Sequence, residues 1–440
     1  MCPAAAHDTA VFIDEAGGEF LGEEVAVHAS EHLPFMLEIE DAQRARVGAD
    51  EAAVPVLCEE GDHGQRVEQR GELEAAADAV EEGLLKAQGA LLGVFHGRKI
   101  PKVDGTHPLF GIGPGVEDWC MKQTAAIFGA SGKLGHHVLS VLARRGIAAR
   151  ALVHRTPVEG ADVTCVHGSI TDAKAVDETV RGADIVVQLA TTKEDAVTFF
   201  DVSVRGTFNI LEACRRHGVK QFILFGGDAA FGIWFYPQRM PIDENHPLTA
   251  YPGYYAFSKV MEETMARQYE VQYGVPVTVL RSSWVFEKDD LLNHFSLLRN
   301  VNPAEPGHGF GHAGEDVLEL VKAGQERIPI LTDAGGAPLR RHIVHVDDVM
   351  QAFDRMIGNP SAIGQSFNIA GPSAFDYRVA AEHLSKRLGV PVIEIPNPQY
   401  HSFEINITRA RTVLGYEPEN DFFRMADRAI AERKAQTRDS

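Results

Sequence analysis

Residues 121 to 440 predict a doubly wound α/β fold, a parallel sheet with helices on both faces, followed by a smaller C-terminal lobe. Three observations carry the prediction. Short runs rich in Val, Ile, Leu, Phe and Ala alternate with segments of helical periodicity. Those runs are apolar on successive residues, as strands buried on both faces must be. The first of them also passes directly into a glycine loop that opens a helix.

The elements follow in chain order. AAIF (125–128) is the first strand, GASGKLG (129–135) the loop, and LGHHVLSVLARRG the first helix. ARALV, DVTCV and DIVVQLA supply three further strands. In the helix TFFDVSVRGTFNILEACRRHG, Phe200, Val204, Phe208 and Leu211 recur at spacings of three and four, predicting one buried face. QFILF and VTVLR flank the helical YYAFSKVMEETM. No comparable series runs from 286 to 340, where PGHGFGHAGED predicts loops and a second lobe. A doubly wound unit is thus placed at 121–285 and the second lobe at 286–440, with segments of the latter returning to the former.

The 440 residues are 45% hydrophobic and 24% charged, an ordinary globular balance. The net charge of −20 is concentrated in residues 1–120, which hold 24 Asp and Glu against 8 Lys and Arg. Three readings of this segment stand: an accessory domain, an acidic tail, or sequence upstream of a true start at Met121. The remainder is near neutral and has no basic stripe, which argues against nucleic acid, and an acidic segment is repelled by anionic membranes. No apolar run reaches the ~20 residues of a membrane span, and no basic residue precedes Arg44, so a cytoplasmic protein is expected. Five cysteines without a C-x-x-C fit a reducing compartment.

In the loop, Gly129 permits the tight turn, Gly132 allows a pyrophosphate to approach the backbone, and Gly135 lets the helix pack closely on the sheet. Gly129, Ser131, Gly132, Lys133, Leu134 and Gly135 are therefore candidate cofactor contacts. The second strand ends in His154 and Arg155 where a carboxylate would select NAD, so NADP is favoured over NAD. Tyr255 and Lys259 lie four apart on one helical face, where an ammonium can favour phenolate and make Tyr255 an acid/base for a carbinol proton. The histidines at 294, 308, 312, 342 and 345 lack metal-ligand spacing, and no metal site is expected.

Taken together, GASGKLG, DIVVQLA, VRGTFNILEA, PIDENHPLTAYPGYYAFSK, RRHIVHVDDV, GQSFNIAG and ARTVLGYEP resemble the extended short-chain dehydrogenases/reductases, the NAD-dependent epimerase/dehydratase family, in that family's order. The resemblance implies a Rossmann domain and a nicotinamide along the sheet's C-terminal edge, with Ala190 among its contacts. It also implies Lys259 on the nicotinamide ribose, a sugar, sugar acid or nucleotide-sugar substrate met by Arg281 and Arg341, and a homodimer. FGGDAAFG departs from the family: Gly226 and Gly227 replace the serines whose hydroxyl assists the tyrosine. Asp228 or Thr191 then takes over that hydrogen bond, or the protein binds cofactor as a sensor without turnover. For Arg341 the alternative is a salt bridge to Asp347 or Asp348, for Asp228 a turn cap.

Overall fold

The computed structural model describes residues 123–160, 162–302 and 314–439. The acidic segment 1–120, Met121, His308 and His312 lie outside the described residues.

All six expected strands form: β1 (Thr124–Phe128), β2 (Ala148–Val153), β3 (Val163–His167), β4 (Ile185–Gln188), β5 (Gln221–Gly227) and β6 (Val277–Ser282). A seventh, Gln365–Ile369, pairs with β6, and the order is Gln365–Ile369, β6, β5, β4, β1, β2, β3, parallel throughout. The chain leaves β1 toward β2 on one side and reaches β4 on the other. This reversal opens a crevice beyond the carboxyl ends of β1 and β4, where open α/β sheets bind ligands.

Side-chain alternation builds the two layers. Ala125 and Ile127 pack on one face with Val138 and Leu142 of the helix Gly135–Arg144, while Ala126 and Phe128 pack on the other with Val176, Ile210 and Leu211. The first of these cores continues into the C-terminal region through Phe295, Phe375, Tyr377 and Phe422.

Residues 286–340 hold more regular structure than loops. Helices form at Asp290–His294 and Glu315–Lys322, and the buried strand Ile328–Thr332 pairs in parallel with Val392–Pro396. A lone five-residue apolar run among polar neighbours offers no alternation to recognise. The expected buried face at Phe200 and Phe208 also needs correction. Val204 and Leu211 are buried, but Phe200 and Phe208 are 51% and 46% exposed. The segment opens with a π-helical stretch, Phe199–Arg205, whose wider turn puts the 3.6-residue period out of phase.

Candidate active site

The glycine loop has the geometry its sequence demands. Gly129 adopts φ +89°, and a Cβ there would lie 2.7 Å from the Ala190 nitrogen, so the loop presses on the segment leaving β4. A Cβ at Gly135 would lie 2.1 Å from the Ala130 carbonyl oxygen; only glycine lets this helix start so close to the strand. Gly132 differs: its added Cβ would meet only the Gly129 oxygen at 3.3 Å, so its outer side is open. Ser131 and Lys133 are exposed beside it. An open backbone cradle at a helix N-terminus fits a dinucleotide pyrophosphate. The Lys133 side chain points elsewhere: its ammonium donates to the Val285 carbonyl at 3.0 Å and pairs with Asp290, leaving the loop's backbone for the cofactor. His154 and Arg155 are exposed just past β2.

Tyr255 and Lys259 sit in the first half of the helix Tyr254–Tyr273, which crosses the end of β5. The Lys259 Nζ is 5.7 Å from the centre of the Tyr255 ring, and donates to the Phe225 carbonyl at 3.2 Å and to Glu262 at 2.9 Å. The two side chains therefore share one face, as the spacing predicts. The expected acidification of the phenol is absent here. Burial, then the charges of Asp228, Glu262 and Glu194, hold Tyr255 above its ordinary pKa. A second cation escaped the sequence reading: Lys193, on the loop after β4, places Nζ 4.6 Å from the same ring centre. Burial, followed by repulsion from Lys259 and Lys133, lowers the pKa of Lys193.

Asp228 follows the last residue of β5, and the Tyr255 hydroxyl approaches the backbone immediately before it: a Cβ on Gly227 would be 3.8 Å away. Ser283 Oγ lies 3.0 Å from Asp228 Oδ2 and 2.5 Å from the His342 carbonyl oxygen. The Ser283 hydroxyl and the backbone amides of Ala229 and Trp284 all favour the ionised carboxylate. Burial pushes Asp228 up to about 6, with Arg341 and Ser283 opposing the shift. Asp228 thus lies close enough to Tyr255 for its charge to act there. Thr191 instead has its hydroxyl directed at the Thr192 carbonyl (3.3 Å) and Ser203 Oγ (3.4 Å).

The two arginines part company. Arg281, 6% exposed, grips Glu263 with Nε and Nη2 at 2.9 and 2.6 Å and donates Nη1 to the Glu244 carbonyl at 2.9 Å. Its donors are committed within the fold, so the expectation that it binds substrate is corrected. Arg341 makes no pair with Asp347 or Asp348: Asp347 binds Arg428, and Asp348 accepts from the backbone of Glu419 and Asn420. Its guanidinium lies 3.8 Å from the Trp284 ring centre and 4.6 Å from that of Trp234, with Nε buried and unpartnered. Among the histidines, His294 Nε2 meets the Tyr377 hydroxyl at 2.7 Å, and burial depresses it to about 3; His342 bonds the Gly371 carbonyl and His345 caps the next helix.

Comparison with known proteins bears on family and fold. The description "NAD dependent epimerase/dehydratase family" matches residues 125–370, more than half of the chain. An Escherichia coli O157:H7 protein, N-acetyl-alpha-D-glucosaminyl-diphospho-ditrans,octacis-undecaprenol 4-epimerase, is 30% identical over 30% of this chain and 41% of its own length. A dTDP-glucose 4,6-dehydratase of Streptomyces antibioticus is 27% identical over 59% of this chain and 73% of its own. The chain therefore spans less than half of the first relative and most of the second. Among solved structures, a short-chain dehydrogenase/reductase superfamily protein of Agrobacterium tumefaciens with bound NAD superposes with a TM-score of 0.63 at 21% identity, covering 72% of this chain and 98% of that one. The chain belongs to the NAD dependent epimerase/dehydratase family.

Proposed function

We propose that the protein is an NAD(P)-dependent epimerase, dehydratase or dehydrogenase that acts at a secondary carbinol of a sugar, sugar acid or nucleotide-sugar. The observation that carries this reading is the Tyr255 hydroxyl buried against the end of β5, with the Lys259 ammonium one helical turn along the same face. A bound nicotinamide dinucleotide supplies the hydride acceptor. Gly129 to Gly135 hold its pyrophosphate, Tyr255 takes the carbinol proton, Lys259 orients the nicotinamide ribose and assists Tyr255, and Arg341 meets an anionic group of the substrate. Assays of NAD(P)H release and of sugar-nucleotide interconversion across a panel of sugars test it; no turnover with any, alongside retained dinucleotide binding, would favour the sensor reading.

In this reading Asp228 fills the place of the missing serine and hydrogen-bonds the reacting oxygen. Asp228→Ala is expected to lower kcat about 10²-fold at or below about pH 6, where the carboxyl carries the proton it donates, the scale of one lost oxyanion donor, and to matter less above it. Gly227 has an ordinary extended φ of −168° and room for a Cβ, so Gly227→Ser can add a hydroxyl beside Tyr255. Introduced into the Asp228→Ala protein, it should recover part of the rate; no recovery, or an unchanged rate in Asp228→Ala itself, removes Asp228 from this role.

NADP is the proposed cofactor, because Arg155 can pair with a 2′-phosphate and the end of β2 carries no acid. Arg155→Ala should weaken NADPH binding about tenfold, roughly one charge-assisted hydrogen bond, and leave NADH unchanged. Equal losses for both would discard the preference. The exposed Phe200, Phe208, Tyr254 and Phe257 support a homodimer through these two helices, since aromatic surface left in water favours association. Sedimentation equilibrium at the monomer mass would contradict it.

A further inference from the structure

We propose that Glu262 is a positioning residue, a buried counter-ion that aims the Lys259 ammonium and offsets its charge toward Tyr255. The proposal rests on the acid/base reading of Tyr255 but concerns a different residue. Glu262 is fully buried, Lys259 is 4% exposed, and their charged atoms lie 2.9 Å apart on successive turns of one helix. The Glu262 Oε1 is buried without a hydrogen-bond partner, so this carboxylate is held in place almost wholly by the lysine. The neighbouring Glu263 is occupied by Arg281 and Ser366.

An ammonium has three N–H donors. Glu262 and the Phe225 carbonyl take two of them, which fixes the direction of the third. The carboxylate also cancels field. A lone buried ammonium 5.7 Å from the phenol ring would pull Tyr255 toward phenolate, and a carboxylate in contact with that ammonium removes most of the pull. The other groups around Tyr255 are Lys193 over its ring, Glu194 on the same loop, Asp228 at the end of β5, and Tyr251 just before the helix. None of these hydrogen-bonds or ion-pairs with Lys259, so among the described residues Glu262 is the counter-charge in contact with the lysine. In accord with this, Glu262 is among the charges that hold Tyr255 up.

The test needs no substrate. Difluorotyrosine, more acidic than tyrosine, is incorporated at position 255 of the full chain, and its ionisation is followed by fluorine NMR. In Glu262→Gln the amide still accepts from Lys259 but carries no charge, and the midpoint should fall by about one unit, the scale of an unmasked neighbouring cation. Glu262→Asp should return it most of the way to the parent. A midpoint in Glu262→Gln within a few tenths of the parent's would overturn the proposal, because it would mean that Glu262 is neutral or electrically remote. If Glu262→Gln does not fold, Lys259→Met/Glu262→Met removes both charges, a change buried pairs often tolerate. Its midpoint should stay near the parent's, and a rise of a unit or more would show that Lys259 acts uncompensated. The Tyr255→Phe rate decides separately whether Tyr255 is the acid/base.

Discussion

Tyr255→Phe is expected to lower kcat about 10²- to 10⁴-fold at neutral pH, the range over which a positioned acid/base contributes, while dinucleotide affinity stays within about twofold. The substitution removes one oxygen from a ring whose packing is otherwise kept. Stability should therefore change little, and loss of rate can be assigned to chemistry. The high pKa of Tyr255 in the ligand-free fold sharpens the expectation. At neutral pH the hydroxyl carries its proton, with burial and three nearby carboxylates opposing its release. Lys193 over the ring is placed to reverse this, Lys259 adds the part of its charge that Glu262 does not cancel, and a positively charged nicotinamide would add to both. Reaction in the oxidative direction should consequently strengthen as pH rises toward the alkaline range, with that limb absent in the Phe variant. Equal rates for the two proteins would take Tyr255 out of the reaction.

The sheet was legible because β1, β4, β5 and β6 are apolar and buried on successive residues, a pattern solvent-facing segments do not sustain, while β3 at the edge, with Thr164 and His167 exposed, is the weakest of the six. The Gln365–Ile369 strand was not legible as a strand. Gln365, Ser366 and Asn368 interrupt it, and the burial of Ser366 and Asn368 is made tolerable by distant partners: Ser366 donates to Glu263, and Asn368 donates to the Ile242 carbonyl. The glycine loop and the Tyr255–Lys259 pair could be found by spacing, since both are local. Ser283, Lys193 and Glu262 gave no such signal. Ser283 reaches Asp228 across 55 positions, Lys193 comes from a different loop, and Glu262 looks like any helical surface glutamate until the helix is packed on β5. Arg281 failed for the same reason in reverse, because an arginine closing a parallel strand has the address of a ligand contact while its true partner lies on the preceding helix.

Arg281→Ala should therefore unfold the protein rather than blind it to substrate. Glu263 would be left buried at 3% side-chain exposure with only Ser366 and no opposite charge, and removing one member of a buried pair costs about 3–5 kcal/mol. That exceeds the loss from truncating a surface arginine several times over. The arginine also ties the strand β6 to the helix carrying Tyr255 and, through the Glu244 carbonyl, to the stretch before that helix. Loosening it should lower the urea midpoint and make Tyr255 positioning temperature-sensitive, with KM for substrate unchanged in whatever fraction stays folded. Arg281→Met/Glu263→Met, which removes both charges and keeps volume, should regain most of the lost stability. A large rise in KM with an unaltered urea midpoint would return Arg281 to the substrate. That outcome would require the guanidinium to leave a bidentate grip on Glu263 and uncover a carboxylate that, among the described residues, has no other ion-pair partner, which is why stability, and not affinity, is the quantity this residue should move.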